Sequence, residues 1–184
     1  RGGAHARNLK DFWQIAEDTA REYGNIMDRK EWRLVVHVHL AESKKEAMEQ
    51  ARQRAGSYQR EYFEQTLGHD AEFKGPQNQV IEFMVDEGKW CVGTPDDLIK
   101  LIHDLDESTG GFGGVMIQAT EWATREQVRH SYELVARYVM PQFQGTVAST
   151  IASNKWAAER KETLVAGRIR ALDRAKQVHA DRQS

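Results

Sequence analysis

The sequence predicts a parallel α/β architecture, on three observations. Two runs rich in apolar and β-branched residues, Trp32–Leu40 and Val115–Ala119, are too short and uninterrupted for surface helices. Long stretches with apolar residues at three- and four-residue spacing separate such runs, as in amphipathic helices. Helix-capping residues follow directly on the strands, so strand and helix alternate, and strands joined in that way run parallel.

In chain order, Leu9, Phe12, Trp13, Ala16, Ala20 and Tyr23 form the stripe of a first helix, with Gly24 at its left-handed cap. Trp32–Leu40 is a buried strand. Ser43 and Glu46 open a second helix, whose fourfold series Ala47, Ala51, Ala55, Tyr58 and Tyr62 extends it to about Gln65. Gly, Pro, Asn and Asp mark a loop over Gly68–Asn78, and Gln79–Glu87 is a short helix. Trp90–Gly93 is a short strand. Thr94 caps the next helix, with Pro95 at its first position and Asp96 and Asp97 at its positive end; Leu98, Leu101, Ile102 and Leu105 form its buried stripe. Gly110–Gly114 feeds the strand Val115–Ala119. Thr124 and Gln127 cap a further helix, which Pro141 is expected to stop. One helix is expected from Ser149 to the end. The boundary falls between a body, 1–145, and a helical extension, 146–184.

Composition excludes several functions. The 184 residues carry 26 basic and 28 acidic side chains, so no global field draws the chain to nucleic acid or anionic lipid. No apolar run approaches the roughly 20 residues of a membrane span. The single cysteine, Cys91, can form neither an internal disulfide nor a thiolate zinc site, which suits a reducing, cytoplasmic setting. Residues 143–184 hold eight basic and four acidic side chains, as a solvated helix or a clamp for an acidic surface would.

Reactive groups of parallel α/β folds cluster at the carboxyl ends of strands, here His39–Ser43 and Gln118–Trp122. Alternation puts His37 and His39 on one face of the first strand and Leu34, Val36, Val38 and Leu40 on the other. His-x-His at a strand end is a metal-ligand spacing, but neither a carboxylate nor a third histidine accompanies it. Hydrogen-bonded histidines are therefore the preferred reading, and no metal is expected. On the later strand Met116, Gln118 and Thr120 share a face. A buried Gln118 or Thr120 needs a partner from a cavity or a ligand, unless Thr120 and Glu121 merely cap the strand end. Trp122 can stack on a flat ring or close the end of the sheet.

Five segments, read together, carry a resemblance: Trp32–Ser43, with its run Val36-His37-Val38-His39-Leu40-Ala41-Glu42; Val92–Asp97; Thr109–Gly114; Ala119–Ala123; and Ser131–Phe143. In this order they resemble the bacterial-luciferase-like, flavin-dependent monooxygenases, most closely the limonene-monooxygenase-like branch, from about Leu9 to Gln144. The resemblance implies the C-terminal half of a (β/α)8 TIM barrel with a C-terminal helical extension. It implies a reduced flavin, usually FMN, that reacts with oxygen and oxidises a small organic substrate, with a flavin reductase as electron source. His37, His39, Gln118, Thr120 and Trp122 would line the flavin or substrate side. His39 matches the family's histidine before Ala-Glu-Thr, here Ala41-Glu42-Ser43, whereas Thr120 stands where a histidine before Glu-Trp is common. The first barrel strands and the family's main flavin-phosphate contacts would lie outside these residues. The chain would then pair with its missing N-terminal half or with a second copy. The alternative is a truncated, non-catalytic half-barrel that serves as an assembly or binding module.

Overall fold

The computed structural model describes residues 4–145 and 148–182, with side chains from residue 8 onward. Helix α1 (Ala4–Glu22) ends before Gly24, whose φ is +74°. Strand β1 (Arg33–Leu40) follows a 3-10 turn, Arg29–Glu31. Helix α2 (Lys44–Ser57) starts at Ser43, whose hydroxyl accepts from Glu46 N at 3.2 Å, and continues as a π-helical segment, Tyr58–Thr66. After the loop come α3 (Val80–Asp86), β2 (Trp90–Gly93), α4 (Pro95–Thr109), β3 (Gly114–Gln118) and α5 (Arg125–Leu134). The chain divides into two compact units, 1–140 and 141–184.

The three strands form one parallel sheet in the order β2-β1-β3. Mixed α/β structure with parallel strands and covering helices is what the sequence led us to expect. The order adds something the sequence did not disclose. β3 takes the edge of β1 opposite β2. The connection through α4 therefore crosses β1, and two connections of one hand running in opposite directions put their helices on opposite faces. Accordingly α2 and α3 cover one face, where Ala47, Ala51 and Ala55 pack with Val80, Ile81, Met84, Trp90 and Val92. The other face joins Leu34, Val36, Val38 and Leu40 to Cys91, to Leu98 and Leu105 of α4, and to Leu134 of α5.

Local rules account for the joints. Gly93 leads into a reciprocal capping box in which Thr94 N donates to Asp97 Oδ2 at 2.8 Å and Asp97 N to Thr94 Oγ1 at 3.4 Å. A Cβ on Gly93 would lie 2.2 Å from that Oδ2, so only glycine leaves room for the box. Arg29, stacked on Trp13 and Trp32, donates to the carbonyls of Thr109 and Gly111 at 2.7 and 3.1 Å and ties α1 to the end of α4. Ser131 Oγ accepts from Leu40 N at 2.8 Å, pinning α5 to the carboxyl end of β1.

Two expectations need correction. Pro141 does not stop its helix: a π turn, Val135–Val139, precedes it and helical structure runs on as α6 (Met140–Phe143). The wider π turn is a recognised way of relieving the clash between a proline ring and the preceding turn. The C-terminal stretch is two helices, α7 (Ala148–Glu159) and α8 (Lys161–Asp181), and not one. Arg160 leaves helical geometry at φ −109°, ψ 11°, with its guanidinium 4.9 Å from the ring centre of Trp156. Among the described residues no helix is long and apolar enough to cross a membrane.

Candidate functional site

Alternation along β1 places His37 and His39 on the α2-covered face, in register with Trp90 and Val92 of β2. On the other side His37 pairs with Gln118 and Val35 with Met116 of β3. Near the start of the sheet this face is open, with Val35 52% and Met116 54% exposed. Toward the carboxyl ends aromatic rings close it. The His37 imidazole stacks on Trp122, with ring centres 5.8 Å apart and planes 7° apart. Trp90 lies 5.8 Å from it, and Tyr58 and Phe63 present their edges at 6.1 and 5.8 Å.

The polar atoms in this cluster are unevenly satisfied. Gln118 Nε2 donates to Tyr58 Oη at 3.1 Å, and His39, fully buried, has its Nε2 2.9 Å from Gln50 Oε1 of α2. His37 Nε2 and Trp122 Nε1 are buried and have no hydrogen-bond partner among the described residues. A buried polar atom left unpaired costs about 1–3 kcal/mol, so this pair marks a place where a ligand could supply what the chain does not. Burial in the aromatic cluster pushes the His37 pKa down to about 4, so the ring is neutral near pH 7. Burial lowers His39 as well, against the bond to Gln50, which raises it.

Of the residues singled out from sequence, His37, Gln118 and Trp122 meet in one cluster. His39 shares their face but is held under α2 by Gln50. Thr120 is buried to 8% exposure in the loop after β3 and lines a separate cleft of about 570 Å³ between that loop, the start of α5 and α2. Sequence reasoning missed Tyr58, Phe63 and Trp90 as members of the cluster. Tyr58 read as part of a continuous α-helical stripe, and the π-helical widening that turns Phe63 toward His37 leaves no mark in apolar spacing. Among the described residues no group of three or more His, Cys, Asp and Glu could hold a metal ion.

Comparison with known proteins bears on what this cluster belongs to. No protein-family model matches the chain. The 4-hydroxyprotoasukamycin monooxygenase of Streptomyces nodosus subsp. asukaensis is 32% identical over 160 residues, 87% of this chain and 43% of that protein. Limonene 1,2-monooxygenase of Rhodococcus erythropolis is 34% identical over 160 residues, 82% of this chain and 40% of that protein. Among solved structures, the oxygenating constituent of 3,6-diketocamphane monooxygenase from Pseudomonas putida, a type II Baeyer-Villiger enzyme in complex with FMN, aligns with a TM-score of 0.55. Its identity is 26%, and the match covers 72% of this chain and 39% of that one. The monooxygenase RslO1 of Streptomyces bottropensis has the same fold relation, with TM-score 0.53 and 22% identity over 75% of this chain and 39% of that one. The chain thus spans about two fifths of the relatives it matches. In sequence and in fold it is homologous to a part of the luciferase-like, flavin-dependent monooxygenases.

Proposed function

We propose that this chain forms one wall of the flavin pocket in a monooxygenase that takes FMN and acts on a small organic substrate. The observation that carries the reading is the pair of unpartnered ring nitrogens, His37 Nε2 and Trp122 Nε1, in an aromatic cluster at the carboxyl end of a parallel sheet. The homology to monooxygenases and the FMN-bound structural relative support it. Held there, the flavin would supply the redox chemistry of oxygen activation. The chain's own part is binding and orientation. Neutral His37 and the Trp122 N–H each offer a hydrogen bond to a heteroaromatic edge, Gln118 is set beside them by its register with His37, and the surrounding rings exclude water. His39 holds the wall in place through Gln50, and Thr120 belongs to the same reading from the separate cleft beyond β3. A flavin reductase, cytoplasmic location, and a complementary N-terminal half or a second copy complete this reading.

The test is a titration of FMN into the chain, followed by quenching of flavin fluorescence. Saturable binding that weakens about tenfold in Trp122→Leu is expected, the size of a lost hydrogen bond from the ring N–H. Absence of saturable flavin binding, both by the chain alone and by its assembly with the remaining length of a relative, overturns the reading.

A second reading, a non-catalytic half-barrel that serves assembly, is favoured by the exposed Val35 and Met116 and by the outer edges of β2 and β3, which no strand among the described residues pairs. A colourless oligomer of native material in mass spectrometry would support it. Bound flavin in that material would exclude it.

A further inference from the structure

Tyr58 and Phe63 stand five residues apart, yet both present an edge to the His37 ring and lie 5.4 Å from one another. In an α-helix, residues five apart point about 140° away from each other, while residues four apart share a face. At π pitch the hydrogen bonds run from residue i+5 back to residue i, and positions five apart come into line. The segment Tyr58–Thr66 has that pitch, as in the 2.9 Å bond from Leu67 N to Tyr62 O. Pitch therefore decides which ring meets His37. Tyr58 is held at the head of the segment by Gln118. At α pitch the residue four further on, Tyr62, would take the place that Phe63 holds; at π pitch Tyr62 is 45% exposed.

π-Helical structure occurs mostly as single turns, so a run of nine residues needs contacts from outside to hold it. Arg60 makes them. Its side chain, 17% exposed, pairs through Nη1 with Glu64 Oε2 at 2.7 Å, and its Nη2 donates to the carbonyls of Phe73 and Gly75 at 2.5 and 2.8 Å. Such charge-assisted bonds are the stronger kind. The receiving loop is itself fixed: Phe73 stacks on Phe83 of α3 with ring centres 5.0 Å apart, and Glu72 pairs with Lys89 ahead of β2. We infer that Arg60 is a positioning residue, whose fork onto the Phe73 and Gly75 carbonyls keeps Tyr58–Thr66 at π pitch and so sets Phe63, in place of Tyr62, against His37. The consequence is chemical. A phenylalanine edge offers His37 Nε2 no partner and leaves that nitrogen to a ligand, whereas a tyrosine hydroxyl in the same place would bond it. The effect on flavin rests on the proposed flavin pocket, and the pitch does not.

The experiment uses the full 184-residue chain, follows the His37 imidazole by NMR through a pH titration, and reads FMN affinity by fluorescence. Of the rings that face His37, those of Tyr58, Phe63, Trp90 and Trp122, the titratable one is Tyr58, and burial pushes its pKa up, so it stays neutral throughout. In Arg60→Met the His37 midpoint is expected to move up from about 4 toward the ordinary 6.5, because the Tyr62 oxygen can accept from the protonated ring. FMN affinity is expected to fall about tenfold, since the same hydroxyl competes for Nε2. Adding Tyr62→Phe to Arg60→Met should reverse most of both changes, while Tyr62→Phe alone changes neither. Arg60→Lys keeps the charge beside Glu64 but loses the planar fork, so it should move the midpoint the same way by a smaller amount, and it serves if Arg60→Met does not fold. A midpoint unchanged in a folded arginine variant, or one that moves equally with and without Tyr62→Phe, overturns the inference. Loss of the fold in both arginine variants overturns it as well, in favour of a purely structural role. The expected His37 shifts without FMN binding by any variant or the parent count against the flavin reading alone and leave the role of Arg60 standing.

Discussion

His37 occupies a position that a phenylalanine would fill at lower cost. Its ring is boxed by four aromatic side chains and its Nε2 has no partner. His37→Phe is therefore expected to raise the stability by about 1 kcal/mol in urea unfolding at pH 7 while weakening flavin binding, the opposite movement of stability and function that a ligand site shows. The sign of the pH dependence follows from the same burial. Between the ordinary histidine value near 6.5 and the folded value of about 4, the unfolded chain binds a proton that the folded chain refuses. Stability is thus fully present above pH 6.5 and declines as the pH falls toward 4. His37→Phe should flatten this decline without abolishing it, because burial lowers His39 in the same direction. Urea midpoints measured from pH 7 to pH 4 check both statements. Cys91 is equally readable: burial is the main cause that pushes its thiol up to about 12. Its labelling by a thiol reagent at pH 8 is expected to proceed only as fast as the protein opens, so that the labelling rate rises with urea.

At the scale of elements, Gly93 and Thr94 serve one device. Gly93→Ala would press a methyl group against the Asp97 carboxylate, and Thr94→Ala would remove the hydroxyl that this carboxylate faces. Each is expected to cost about 1 kcal/mol, and the double variant little more than either alone, since both break the same box. A double-mutant cycle in thermal unfolding measures it. Capping of this kind depends on a few adjacent residues, which is why the starts of α2, α4 and α5 could be read from Ser43, Thr94 and Thr124. The faces of β1 could be read from simple alternation. What sequence did not disclose is non-local or depends on exact helical pitch. The pairing of Arg33–His37 with Gly114–Gln118 joins segments that alternation cannot rank, and one extra residue per turn over Tyr58–Thr66 decides that Phe63 meets His37. For the same reason the cluster was half legible. His37, Gln118 and Trp122 stood out as polar or aromatic groups at strand ends, while Arg60 looked like any solvated helix charge until the fold brought the carbonyls of Phe73 and Gly75 to it.

On the scale of the whole molecule, the N-terminal unit has a sheet closed on both faces over most of its area, yet open at two edges and at the Val35–Met116 patch. Parallel sheets bury both faces as a rule, so this patch and these edges favour association. A mass that rises with protein concentration is expected in analytical ultracentrifugation, and Met116→Lys should reduce the rise without changing the helical content. Strand order also carries a consequence in time. Seventy-four positions of chain separate Leu40 from Gly114, so a ribosome adding 5–20 residues per second finishes β1 about 4–15 s before the strand that will cover its second edge exists. For that interval the middle strand of the finished sheet is an edge, and it is then, more than at any later moment, that the chain needs shielding from its neighbours.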